Sequence, residues 1–170
     1  MKAFCRVSSA MAVAAASVLC SSAAMAIETK PTLTLDLAKK MVAGCEAKAK
    51  QEGWKMNIAI ADDGANLVAF ERMDGAFLGS VYISQRKAMT SANFPASTRF
   101  FSELAFGKEG KPATVPGIAE VPGIIAFAGG LPILTANKAQ IGGIGVSGGT
   151  ADQDEQCAQA GLDAVKDDLK

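Results

Sequence analysis

From Thr34 to Glu52 apolar side chains return every three or four positions, at Ala38, Met41, Val42, Cys45 and Ala49. Lys39, Lys40, Glu46, Lys48 and Lys50 fill the intervals. That period puts the two sets on opposite faces of a helix, capped by Thr34, charged by Asp36 in its first turn and stopped by Gly53. The pattern then shortens. Met56 to Ala61 and Asn66 to Met73 read as strands of a hairpin, joined by Asp62-Asp63-Gly64-Ala65. Helical spacing returns from Val81 to Ala92 until Phe94-Pro95 breaks it, and Ser97 to Phe106 predicts a short third helix. Gly107 to Gly123 holds Pro112, Pro116 and Pro122, a loop long enough for a flap or an oligomer contact. Three strand-like pieces follow, Ile124 to Phe127, Leu131 to Thr135 and Ala139 to Val146, the last two joined by a turn at Asn137-Lys138. A helix from Ala151 to about Leu169 closes the chain, with Ala158, Leu162, Val165 and Leu169 inward. The order predicts an α+β domain: an antiparallel sheet of about five strands with helices packed on it, the first and last helices on one face.

Ahead of this pattern stands a different one. Lys2 and Arg6 open the chain, an apolar stretch runs from Met11 to Leu19, and Ala24-Met25-Ala26 offers small residues for a peptidase. This is the layout of a cleaved secretory signal, and the stretch is too short and too rich in Ala and Ser to span a bilayer. Leu19, directly before Cys20, is too large for a lipidation site. Cleavage near Ala26 leaves residues 27–170 as one periplasmic or secreted domain, with no later run apolar enough for a membrane span.

The glycines of "GGIGVSGGTADQDEQ", Gly142 to Gln156, spell a dinucleotide-binding pattern, Gly143, Gly145 and Gly148. A dinucleotide fold also needs a second parallel strand beyond the helix, and this chain ends inside the helix. Thr150 and Gln153 form a capping box, and Asp152, Asp154 and Glu155 fill the positive helix end with negative charge. No nucleotide is expected. Glycines inside a strand instead allow another group, whether ligand, helix or neighbouring subunit, to lie flat against the sheet. The amides of Ser147, Gly148 and Gly149 are candidates to hold a carboxylate or a water.

Composition narrows the chemistry further. The 170 residues carry 17 basic and 17 acidic side chains, and loss of Lys2 and Arg6 leaves 15 against 17, a formal charge of −2. Nothing basic attracts nucleic acid or anionic lipid. There is no histidine, which excludes Ser-His-Asp or Cys-His catalysis and any zinc site needing imidazole. No zinc is expected. Acid–base work falls to Asp, Glu, Lys or Tyr. Cys45 and Cys157 lie in the first and last helices: either an oxidised bridge between them or two small core residues that never meet.

Three segments, "VAFERMDGAFLGSVYISQRKAMTSANF", "AGGLPIL" and "GGIGVSGGTADQDEQCAQAGLDAV", closely resemble the GlcG/HbpS-like haem-binding family, whose domain also occurs at the C-terminus of PduO-type proteins. The most specific pieces are Arg72 to Ala76, Lys87-Ala88 with Thr90, and Gly145 to Thr150 with Gln153-Asp154, and the resemblance runs from Thr32 to Val165. It implies a profilin-like domain, often a homo-oligomer, in a family where some members bind haem or a related tetrapyrrole.

Each residue in those pieces has two readings. Arg72 and Asp74 flank a turn as an ion pair or cap, or Arg72 clamps a carboxylate in its planar fork. Lys87 and Thr90, three apart on a helix, can face one cleft, or Lys87 is simply solvated. Met73 and Met89 are core residues or thioether ligands, and Tyr82 is packing or a phenolate. Without histidine an axial group for haem comes from Met73, Tyr82, Lys87, Thr90 or a water they hold. Phe70, Phe94, Phe100, Phe101 and Phe127 are core or walls for a flat ligand. Three functions follow: an exported haem or tetrapyrrole carrier or sensor; an enzyme on a small carboxylated or hydroxylated metabolite, with Lys87 or Asp74 as acid or base; or a partner-binding module.

Overall fold

The first helical pattern folds as its period implies. Helix α1 spans Leu35–Glu52, the Thr34 hydroxyl accepts from the Leu37 amide, and Gly53 closes the end. Strands β1 (Asn57–Asp62) and β2 (Leu67–Arg72) pair antiparallel. Asp62 holds the turn between them by accepting from the amides of Gly64 and Asn66. Helices α2 (Gly79–Asn93) and α3 (Thr98–Phe106), a 3-10 turn at Pro116–Glu120, strands β3 (Gly130–Leu134) and β4 (Gln140–Ser147), and helix α4 (Ala151–Asp163) complete the order. The computed structural model describes residues 29–170, so the expected signal segment lies outside the described residues.

The sheet runs β2-β1-β4-β3, antiparallel throughout. Successive side chains of a strand point to opposite faces, and this alternation sorts the layers. Ile58 and Ile60 of β1 and Ile144 and Val146 of β4 join the main core with Met41 of α1 and Ala158 of α4. On the other face Ala59 and Ala61 meet Ala88 and Ala92 of α2. The first and last helices therefore share one side and α2 covers the other. A Cys45–Cys157 disulfide, Cα–Cα 4.7 Å, ties α1 to α4. Of the two readings open in the sequence, the bridge is the one realised.

The β4 glycines serve α2. A Cβ on Gly143 would fall on the Ala88 carbonyl and 2.6 Å from the Ala92 amide, and one on Gly145 would overlap the backbone of Ser84 and Ala88. Of the three groups that could lie flat on these glycines, a helix occupies the place.

Two boundaries differ from expectation. The sheet has four strands rather than about five, because Ile124 to Phe127 is not a strand. Two of its amides are engaged away from any strand, Ile124 on the Val121 carbonyl and Ile125 on the Thr90 hydroxyl. Helix α4 ends at Asp163 and continues as tighter turns, with Val165 bonding Leu162 and Asp168 bonding Val165. Val165 stays buried, so the apolar stripe survives the change of helix type.

Candidate functional site

Helix α2 presents three sides. Its sheet side is small and dry, Ser84, Ala88 and Ala92. The next side carries Lys87, which is fully buried. Its Nζ donates to Asp154 Oδ2 at 2.7 Å and to the Val146 carbonyl at 2.9 Å, with the Phe127 ring centre 4.7 Å away. Burial lowers the pKa of Lys87 and raises that of Asp154, against the attraction between them. The solvated or cleft-facing lysine expected from the sequence is thus corrected. A separation of three helical positions leaves about 60° between side chains, enough to send Lys87 and Thr90 to different neighbours.

The third side is a stripe of Arg86, Met89, Thr90 and Asn93, spaced as one helical face. With Ala65, Phe94 and residues 121–124 it lines an open cavity of about 430 Å³, within the range of small-molecule sites. Thr90 builds one wall. Its hydroxyl lies 2.8 Å from the Arg86 carbonyl and 3.1 Å from that of Gly123, and accepts from the Ile125 amide at 3.1 Å. This one hydroxyl pins the strap 121–125 over α2. The Arg86 guanidinium rests where a Cβ on Gly123 would stand, lies 5.8 Å from the Tyr82 ring centre, and donates to the Met89 sulfur at 3.8 Å. No ion pair to a carboxylate engages it among the described residues. A planar fork with no carboxylate partner, beside a thioether and the exposed Phe94, fits a flat ligand with carboxylate arms.

The other sequence candidates lie elsewhere. Arg72, exposed at the end of β2, pairs in register with Asn57, which pairs with Ser147 on its other side. This row lies by the start of α2, since Asn57 Nδ2 donates to the Phe77 carbonyl at 3.0 Å. Asp74 is exposed in the following turn. Met73 is buried, and its sulfur accepts the Met56 amide. Tyr82 is 66% exposed. The Gly149 amide holds a carboxylate, but it is the protein's own: Asp154 Oδ1 accepts from it at 2.9 Å. Arg72, Lys87 and Ser147 do not line the cavity on α2. Of the candidate site residues singled out in the sequence, Thr90, Met89 and Phe94 reach the cavity. Arg86 was missed, although its signal was present: it stands one turn before Thr90 and one turn after Tyr82 on one helical stripe.

The family model described as "Haem degrading protein HbpS-like" matches residues 33–163. The chain belongs to the HbpS-like family. An uncharacterised 15.0 kDa protein from the dhaT-dhaS intergenic region of Citrobacter freundii is 35% identical over 136 residues, 80% of this chain and 94% of its own length. Protein GlcG of Escherichia coli K12 is 35% identical over 121 residues, 71% of this chain and 85% of its own. Among solved structures, Klebsiella pneumoniae protein ORFY superposes with a TM-score of 0.74 at 33% identity, over 82% of this chain and 94% of that one. HbpS gives 0.72 at 32% identity, with coverage of 82% and 94%. A PduOC:haem complex gives 0.70 at 25% identity, with coverage of 79% and 95%. The α+β fold and the GlcG/HbpS-like kinship expected from the sequence therefore stand. No helix among the described residues is long and apolar enough to cross a membrane.

Proposed function

We propose that this HbpS-like protein is exported and binds haem or a related tetrapyrrole, storing, shuttling or reporting it outside the cytoplasm. The observation that carries the reading is the α2 stripe: a cation without a carboxylate partner, a thioether and an exposed aromatic around one open cavity. A fold neighbour in complex with haem supports it. The Cys45–Cys157 bridge suits an oxidising compartment, as the expected cleavage near Ala26 requires. Exposed Phe77, Leu78 and Tyr82 along the start of α2 favour a homo-oligomer. Arg86 would hold a carboxylate arm, Phe94 would cover an apolar face, and a bound haem would supply the redox-active iron.

Titration with micromolar hemin tests this. The wild-type protein shifts the Soret band, and Arg86→Ala weakens binding roughly tenfold to a hundredfold, the loss of a charge-assisted hydrogen bond of about 1.5–3 kcal/mol. No shift in the wild-type protein rejects the proposal. N-terminal sequencing of the exported protein should begin at Ile27.

A second reading, an enzyme on a small carboxylated or hydroxylated metabolite, draws on the row Arg72–Asn57–Ser147, where the buried Asn57 Oδ1 has no hydrogen-bond partner. Thermal stabilisation by one small acid, lost in Arg72→Ala and absent with hemin, would favour it.

A further inference from the structure

We infer, resting on the haem-binding reading above, that Met89 Sδ is the axial donor this protein offers to iron. The chain has no histidine, so the side-chain donors left to a haem protein are thioether, thiolate and phenolate, with lysine amine and threonine hydroxyl beside them. Cys45 and Cys157, the two cysteines among the described residues, are joined in the bridge. Met41 and Met56 are fully buried, and Met73 is buried with its sulfur accepting a backbone amide. Among the described residues Met89 is then the one methionine that is not buried: it packs on the edge of the alanine cluster under α2 and also lines the cavity. The two polar candidates nearby are committed: the Thr90 hydroxyl to the strap, the Lys87 ammonium to Asp154 and Val146. Tyr82 lies outside the cavity wall and points largely into solvent.

The immediate surroundings of Met89 agree with that role. Its sulfur is contacted by the Arg86 guanidinium at 3.8 Å, a weak and exchangeable hydrogen bond. A ligand carboxylate competes for the same guanidinium far more strongly, through paired charge-assisted bonds. Binding of the carboxylate arm thereby frees the sulfur lone pairs beside the ligand. Cation and soft donor sit three positions apart on α2, so one helix face presents both.

The test compares hemin complexes of the wild type, Met89→Leu, Met89→His and Tyr82→Phe by absorption, including the near-infrared sulfur-to-ferric-iron band, and by midpoint potential. Met89→Leu nearly conserves volume at a half-buried site, and Met89→His supplies a stronger donor at the same place should the leucine variant fold poorly. The expected result is a sulfur band in the wild type, its loss and a lower potential in Met89→Leu, an imidazole-type spectrum in Met89→His, and no change in Tyr82→Phe. Hemin uptake without the band, a spectrum indifferent to both Met89 variants, or one altered by Tyr82→Phe overturns the assignment and leaves the haem reading standing. Failure of the wild-type protein to take up hemin overturns both.

Discussion

Lys87 carries its charge into a layer from which water is excluded, and the fold answers with Asp154 Oδ2, the Val146 carbonyl and the face of Phe127. A buried pair of this kind gains little over an apolar pair of the same shape, but removing one member strands the other. Lys87→Ala should therefore cost about 3–5 kcal/mol in denaturant unfolding, and the double variant Lys87→Met, Asp154→Leu should recover most of that loss. Equal stability for Lys87→Ala and wild type would contradict the pairing. The pH dependence follows from the directions of the two shifts. Folded Lys87 gives up its proton below the ordinary 10.5, so just under that value the unfolded chain binds more protons and stability rises with pH. Folded Asp154 keeps its proton above the ordinary 3.8, so just over that value the folded chain binds more and stability falls as pH rises. The pair thus contributes least where both groups are charged, and the double variant should flatten the profile at both ends.

Helix α2 lies on β4 backbone to backbone, which makes the strand's missing side chains a property of the helix–sheet layer. Gly145→Ala puts a methyl group into the turn of α2 formed by Ser84 and Ala88. Neither element can yield alone: β4 is held between β1 and β3, and the Lys87 and Thr90 contacts anchor the helix. Overpacking of this sort costs roughly 1–3 kcal/mol or more. Gly117→Ala, in the 3-10 turn with nothing near its added carbon, should stay within about 0.5 kcal/mol of wild type. Thermal unfolding of the two variants side by side checks this, and a neutral Gly145→Ala would mean that α2 does not rest on the strand.

At the scale of the whole molecule the Cys45–Cys157 bridge joins positions separated by 112 residues and closes almost the entire domain into one loop. Most of the gain lies in restricting the unfolded chain, and losing such a bridge typically costs about 2–5 kcal/mol. Urea unfolding with and without reductant should differ by that amount in the wild type and by nothing in Cys45→Ala, Cys157→Ala protein. Identical curves for the reduced and oxidised wild type would show that the bridge contributes nothing. Because α1 and α4 cover one face of the sheet and α2 the other, this strengthening acts opposite the cavity. Hemin affinity is accordingly expected to survive reduction while the fold persists.

Local chemistry alone carried a large share of the architecture. The apolar period of α1, the Thr34 cap, the Asp62 to Ala65 turn and the Thr150–Gln153 capping box are short-range patterns, and each lies in the structure where the sequence placed it. The ordered motifs around Arg72, Lys87 and Gly145 likewise led to the family. Tertiary packing decided the rest. Ile124 to Phe127 has a strand's composition but became a strap, because Thr90, thirty-five residues earlier, captured the Ile125 amide. Lys87 looked like a surface lysine until Asp154, sixty-seven residues away, met it under Phe127. Met89 read as core or thioether ligand, and Arg86 stood out in no motif, until residues 121–124 raised a wall beside them. Burial and partnership depend on contacts between distant segments, and periodicity, which compares a residue only with its near neighbours, carries no information about them.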